Sequence, residues 1–120
     1  MAGSHIAIPT ILKIGSGTLG NVGKYLQSCG FKKAVVFFGN GLVEMFGKTV
    51  MDSLSEADIE VLSYCELDTT DIKDIIDLAF TIDAKTQVIL GIGGGKVIDA
   101  GKYAAFLRNL PFISVPTSSS

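Results

Sequence analysis

The sequence predicts an α/β fold built on a mostly parallel sheet, with helices on both faces of that sheet. Short segments rich in Val, Ile and Phe alternate with longer segments whose apolar residues recur at helical spacing. This alternation is typical of parallel strands joined by right-handed crossover helices. Of the 120 residues, 48% are hydrophobic, which is enough for the core of one domain.

Four segments are predicted to be buried strands, because each is short, rich in β-branched and aromatic residues, and bounded by turn residues. They are residues 32–38 (KKAVVFF), 58–64 (DIEVLSY), 86–92 (TQVILGI) and 110–115 (LPFISV). The opening stretch, residues 6–17, is expected to add one or two edge strands, since Pro9 cannot donate a ladder hydrogen bond. The last strand, 110–115, is expected to present an unpaired edge that allows a homo-oligomer to form.

Four segments between the strands are predicted to be helices, because apolar residues recur in them every three or four positions. They are residues 18–30, 41–57, 69–83 and 95–109. In the last of them, Val97, Ile98, Ala105 and Phe106, or a close subset, are expected to face the core.

Charge and hydropathy argue against two classes of partner. The formal net charge is −2 and no run of Lys or Arg occurs, so nothing predicts nucleic-acid binding. No apolar run approaches the length of about 18 residues that a membrane span requires.

The cysteines and the histidine limit the chemistry that the chain is expected to carry. Cys29 and Cys65 have neither metal-binding nor redox spacing, and we expect both to be reduced, in or near the core of a cytoplasmic protein. His5, the one histidine, lies in residues 1–5 (MAGSH), which look like an expression leader. Residues 6–120 then form the domain, with no native histidine for a catalytic triad or a metal site.

A glycine-rich turn is the strongest candidate for a binding site. In residues 88–102 (VILGIGGGKVIDAGK), an aliphatic strand runs into glycines 93–95 and then into a helix. Glycines at that place let the backbone approach a pyrophosphate, which the amides and the dipole of the helix attract. Lys96 would add positive charge, and Asp99 could cap amides or accept a hydroxyl group. A plain helix entry with Asp99 as a local cap remains the alternative.

The position of this turn departs from the ordinary dinucleotide fingerprint. That fingerprint follows the first strand, and an acidic residue for the ribose stands about 20 residues later. Here the glycines follow the third of the four predicted buried strands, and Val115 occupies the acidic position.

Two motifs in this part of the chain resemble those of a known superfamily. The segments GIGGGKVIDAGKYAA and NLPFISVPTSSS contain G-G-G-x-x-x-D-x-x-K followed by a short strand and P-T-x-x-S. They resemble the nucleotide domain of 3-dehydroquinate synthase, glycerol dehydrogenase, glycerol-1-phosphate dehydrogenase and the iron-containing alcohol dehydrogenases. The resemblance extends to the upstream stretch ILKIGSGTLGNVGKYL and implies a Rossmann-like domain.

The resemblance also implies a set of cofactor-binding residues. Those around the pyrophosphate would be Gly93, Gly94, Gly95, Lys96 and Asp99; those toward the ribose and nicotinamide would be Thr117, Ser118 and Ser120; those at the adenosine ribose would be Gly39 and Asn40. Several relatives have an acidic residue in the turn that binds the adenosine ribose. The turn FFGNG has none, so both NAD and NADP remain open as the cofactor.

The implied function is the NAD(P)-binding portion of a metal-dependent polyol or alcohol dehydrogenase, with glycerol or glycerol 1-phosphate as substrate class. The family's helical second domain, with its zinc or iron ligands, is not among these residues. The chain by itself is therefore expected to have no catalytic or metal residue and no dehydrogenase activity. A 3-dehydroquinate synthase-like lyase and a non-catalytic nucleotide-binding module remain alternatives.

Overall fold

The computed structural model describes residues 11–13 and 16–117. In chain order its elements are β1 (Ile11–Lys13), a 3-10 helix (Ser16–Asn21), α1 (Val22–Ser28), β2 (Lys33–Gly39), α2 (Leu42–Glu56), β3 (Glu60–Leu67), α3 (Ile72–Thr81), β4 (Val88–Gly93), α4 (Gly95–Arg108) and β5 (Phe112–Pro116). The strands form one sheet in the order β1-β5-β4-β2-β3, and every pair of neighbours is parallel. The predicted α/β class is confirmed.

Strand β2 alternates its side chains between two apolar layers, as the period of a strand requires. Val36 and Phe38 contact one layer, and Val35 and Phe37 contact the other. The first layer holds buried residues of α1 and α2, including Leu26, Val50 and Leu54. The second layer holds buried residues of α3 and α4, including Ile75, Ala79 and Ala104. Helices therefore cover both faces of the sheet.

Strand β5 corrects the expectation of an unpaired edge. Its residue Ile113 pairs with Leu12 of β1 on one side and with Leu90 of β4 on the other. The short opening strand occupies the place that we expected to be open, so the backbone groups of Phe112, Ile113 and Ser114 are already paired on that side. Among the described strands, β1 and β3 form the edges; the prediction of an edge strand is confirmed for Ile11–Lys13, while Pro9 lies outside the described residues.

Helix α4 packs on the sheet through small residues. Its buried residues are Val97, Ala100, Gly101, Ala104 and Ala105. The ring of Phe112 lies beneath them, so close that a Cβ at Gly101 would stand 2.5 Å from it. The expectation that Phe106 faces the core is wrong, because the ring of Phe112 already fills the space under the helix and Phe106 is 58% exposed.

Helix α3 is held at both ends by polar contacts. Its N-cap is Asp71, whose Oδ1 accepts a hydrogen bond of 2.9 Å from the amide of Lys73. At the other end, Nη1 of Arg108 on α4 donates to the carbonyls of Ala79 and Ile82, at 2.7 and 2.6 Å. Asp71 gives the Lys73 amide an acceptor that the first helical turn lacks, and Arg108 adds a charged donor to the Ala79 carbonyl, which also accepts from the Ile82 amide at 3.3 Å.

The two cysteines are free thiols in different environments. Cys29 is exposed just after α1, so the expectation that it lies in or near the core is wrong. Cys65 on β3 is half-buried, and this burial raises the pKa of its thiol. Within the described ranges, no helix has the length and apolar character that crossing a membrane demands.

Candidate functional site

A cavity opens at the carboxyl ends of the neighbouring strands β2 and β4. From β2 the chain passes along α2 to β3 on one side, and from β4 it passes along α4 to β5 on the other. The two helices pack on opposite faces of the sheet, so the loops that lead into them diverge. Such a reversal of strand order is where open α/β sheets bind ligands.

The volume and lining of the cavity suit part of a cofactor. It measures about 340 Å³, within the usual range of ligand sites. Its lining residues are Gly39, Asn40, Leu42, Leu67, Asp68, Gly94, Gly95, Lys96 and Val97. The lining therefore combines glycine backbone, three apolar side chains, the polar side chain of Asn40, and the opposite charges of Asp68 and Lys96.

The floor of the cavity depends on a close approach between Gly39 and Gly93. Gly93 has φ +143°, a backbone conformation that residues with a side chain rarely adopt. A Cβ on it would stand 3.2 Å from both N and Cα of Gly39, and 2.7 Å from Cγ1 of Val97. The amide of Thr117 donates to the Gly93 carbonyl at 3.1 Å, which supports this turn from β5.

The amino end of α4 forms one wall of the cavity. Gly94 is the N-cap and makes no side-chain capping bond, and its carbonyl accepts the helical bond from Ile98. The amides of the first helical turn have no acceptor within a helix, and the dipole makes this end positive. A Cβ at Gly95 would meet open space, so the backbone is accessible there. With Lys96 beside it, this wall fits the pyrophosphate of a dinucleotide.

The structure brings together five of the predicted residues: Gly39, Asn40, Gly94, Gly95 and Lys96 all line the cavity. Gly93 and Thr117 are not among the lining residues; Gly93 directly precedes Gly94, and the Thr117 amide donates to its carbonyl. Asp99 is exposed one turn further along α4 and is not among the lining residues. Ser118 and Ser120 lie outside the described residues.

Two carboxylates at the carboxyl end of β3 were missed by the sequence analysis. Asp68 lines the cavity, and its Oδ1 lies 3.4 Å from Nζ of Lys96. Glu66 accepts hydrogen bonds from the amides of Gly41 and Val43, at 3.1 and 3.0 Å, and so caps the amino end of α2. No sequence signal links Glu66 to the start of α2, because Glu66 lies 25 residues after Gly41 and 23 residues after Val43. The parallel pairing of Phe38 with Glu66 brings the ends of β2 and β3 together.

The ion pair between Asp68 and Lys96 is a weak contact. Their side chains are 58% and 64% exposed, so water screens the attraction and both groups can turn toward a ligand. Metal binding has no comparable basis here: in residues 11–13 and 16–117, no three or more His, Cys, Asp or Glu side chains are grouped closely enough to hold an ion.

Comparison with known proteins bears on this geometry. The model of the family described as iron-containing alcohol dehydrogenase matches residues 13–120. A glycerol-1-phosphate dehydrogenase (NAD(P)+) of Saccharolobus islandicus is 32% identical over 118 residues, which cover 96% of this chain and 33% of that protein.

Solved structures agree with that match. Glycerol dehydrogenase from Schizosaccharomyces pombe superposes with a TM-score of 0.77 at 28% identity, covering 94% of this chain and 29% of that one. The NADH-dependent butanol dehydrogenase A of Thermotoga maritima superposes with a TM-score of 0.61 at 25% identity, covering 84% and 26%.

The glycine turn and the P-T-x-x-S motif indicate the same superfamily. The chain spans about a third of the length of the curated relatives that it matches. The family model covers nearly all of the chain, including both motifs and the strands that carry the cavity. This chain therefore belongs to the iron-containing alcohol dehydrogenase family.

Proposed function

We propose that this chain binds the dinucleotide of a nicotinamide cofactor in the cavity between β2 and β4. The observation that carries the proposal is the amino end of α4, which opens onto the cavity without a capping side chain and beside Lys96. Gly94, Gly95 and Lys96 would hold the pyrophosphate. On the facing wall, Gly39 and Asn40 would contact the adenosine ribose.

The remaining predicted residues would complete the site. Gly93 would set the turn, Asp99 would lie beside the phosphates, and Thr117, Ser118 and Ser120 would lie toward the nicotinamide. Their placement in chain order after β4 and β5 supports this assignment, because both strands end at the same edge of the sheet. Residues 6–120 would then form one dinucleotide-binding domain, with residues 1–5 as a leader.

We further propose that the whole protein oxidises an alcohol, with glycerol or glycerol 1-phosphate as substrate class. The names of the relatives support this proposal, because they are dehydrogenases of glycerol, glycerol 1-phosphate and butanol. When bound, the nicotinamide would accept a hydride and a zinc or iron ion would polarise the alcohol oxygen. The residues of this chain would bind and orient the cofactor. The lyase alternative has less support, since none of these named relatives is a lyase.

Two free thiols with no cross-link between them are typical of a reducing compartment, and on that basis we infer a cytoplasmic protein. We propose, as the resemblance implies, that the metal ligands are not among the residues of this chain. The purified chain is accordingly expected to bind cofactor without oxidising glycerol, and zinc-dependent oxidation of glycerol by the chain would contradict this expectation.

Titration with NADH and NADPH, followed by nicotinamide fluorescence, tests the binding site. Gly95→Val places a side chain where the backbone should meet the pyrophosphate, in space that the chain leaves open. This variant is expected to fold and to bind at least about tenfold more weakly, since it obstructs a backbone contact. Gly20→Val is the control, because Gly20 also has open space around its Cβ but lies in the 3-10 helix. Failure of the folded wild-type chain to bind either dinucleotide would overturn the proposal.

A further inference from the structure

We infer that Glu66 and Asp68 make this site select NAD over NADP, an inference that rests on the proposed binding site. The sequence left this choice open, because the turn at Gly39 and Asn40 carries no carboxylate of its own. The two cofactors differ at one position, the 2′-oxygen of the adenosine ribose, which is a hydroxyl group in NAD and a phosphate ester in NADP. The charge beside this turn therefore decides the preference.

Glu66 already occupies the anion-binding groups of the turn. Its two carboxylate oxygens accept from the amides of Gly41 and Val43, at the start of α2. The positive end of a helix is what a 2′-phosphate would otherwise use. Here the Glu66 carboxylate neutralises the amino end of α2. The 2′-phosphate of NADP would therefore meet a negative charge instead of free amide groups.

Asp68 brings a second carboxylate to the same end of β3, and this one lines the cavity. It follows Glu66 by two residues, at the end of the strand next to β2, and its carboxylate lies on the cavity wall. Lys96 is the one cation among the lining residues of the described chain, and it stands at the pyrophosphate end of the cavity, 3.4 Å from Asp68. The lining thus carries one carboxylate and one ammonium, and Glu66 adds a second negative charge at the amino end of α2. A ribose hydroxyl can donate to a carboxylate, whereas a phosphate is repelled by it.

A purely structural role for Glu66 makes a different prediction. If the carboxylate serves to hold the Gly41 turn in place, its loss weakens NADH and NADPH binding by the same factor. If its charge excludes the 2′-phosphate, its loss changes the ratio of the two affinities. The ratio of dissociation constants is therefore the quantity to measure.

The experiment compares the two dissociation constants for the wild-type chain and three variants. The wild type is expected to bind NADH about tenfold or more tightly than NADPH, because repulsion between a carboxylate and the 2′-phosphate a few ångströms away is of this order. Glu66→Gln and Asp68→Asn are each expected to reduce this ratio at least about threefold. Glu60→Gln is the matched control: it removes a carboxylate at the amino end of the same strand, paired with Lys33, and should leave the ratio unchanged.

Salt dependence tests the inference without any variant. Repulsion between exposed charges is screened by salt, so the preference for NADH should shrink as ionic strength rises from about 0.05 to about 0.5 M. A 2′-phosphate held by a cation would show the opposite trend. Equal binding of both cofactors, a preference for NADPH, or a ratio insensitive to both carboxylates would overturn this inference and leave the proposed site standing. Binding of neither would overturn the proposed function and this inference with it.

Discussion

Replacing Gly93 by Ala tests the close approach that forms the floor of the cavity. The new Cβ would meet Cγ1 of Val97 at 2.7 Å, and N and Cα of Gly39 at 3.2 Å. The valine methyl can shift, but the backbone of Gly39 ends β2, where it pairs with Leu67 of β3, and the preceding residue, Phe38, pairs with Ile92 of β4. The substitution should therefore separate β2 from β4 at their carboxyl ends or force the turn to change conformation.

The magnitude follows from two costs and one gain. An alanine at φ +143° costs about 1–3 kcal/mol in backbone strain. Overpacking against β2 costs about 1–3 kcal/mol more. The smaller entropy of the unfolded alanine variant returns about 0.5–1 kcal/mol. The free energy of unfolding should thus fall by about 1–5.5 kcal/mol, which lowers the urea midpoint by roughly 0.5–2.7 M for an m-value of about 2 kcal/mol/M.

Urea unfolding followed by circular dichroism measures this change, and Gly95→Ala is the matched control. Gly95 stands two residues further along in the same turn, at the start of α4, and a Cβ there meets nothing within 4 Å. That variant should keep its stability or gain up to about 1 kcal/mol. A Gly93→Ala protein within about 0.5 kcal/mol of the wild type would refute the reasoning, because it would show that β2 and β4 do not need this contact.

Three further outcomes are expected. Asp71→Ala removes the N-cap of α3 and should lower the free energy of unfolding by about 1 kcal/mol, whereas Asp77→Ala, on the exposed face of the same helix, should change it little; equal losses would contradict the capping role. Arg108→Met removes both bonds to the last carbonyls of α3 and should cost about 1.5–3 kcal/mol in the same assay, and no change would show that water replaces the guanidinium. Iodoacetamide should label Cys29 before Cys65 in a time course followed by mass spectrometry, because Cys29 is exposed and Cys65 is half-buried. Burial also raises the pKa of the Cys65 thiol, so its labelling should increase at a higher pH than that of an ordinary thiol. Faster labelling of Cys65 than of Cys29 at neutral pH would contradict this order.

The strands and helices could be predicted because their signals are local. Each predicted strand contains or overlaps an observed one; β2, for example, was predicted at 32–38 and spans Lys33–Gly39. The exposed position of Phe106 could not be predicted, because side-chain size is a poor guide to the buried face of α4. Small residues face inward there, and the ring that fills the space beneath them comes from Phe112 on another strand.

The order of the strands in the sheet could not be predicted from the sequence either. The composition of residues 110–115 predicts a buried strand, and it is one, but nothing in those residues shows that β1 pairs with it. Strand neighbours are chosen by packing between distant parts of the chain, and a short opening segment is enough to close an edge.

By itself, the sequence determined the alternation of strands and helices, the glycine turn before α4 and the resemblance to the family. These follow from spacing and motif, which are properties of consecutive residues. The tertiary structure alone decided that Glu66 binds the turn after β2, that Asp68 shares a cavity with that turn, and that Gly93 lies too near Gly39 to carry a side chain freely. The physical reason is that parallel pairing brings strand ends together across more than 20 intervening residues, so the charge of the cavity is set by neighbours in space.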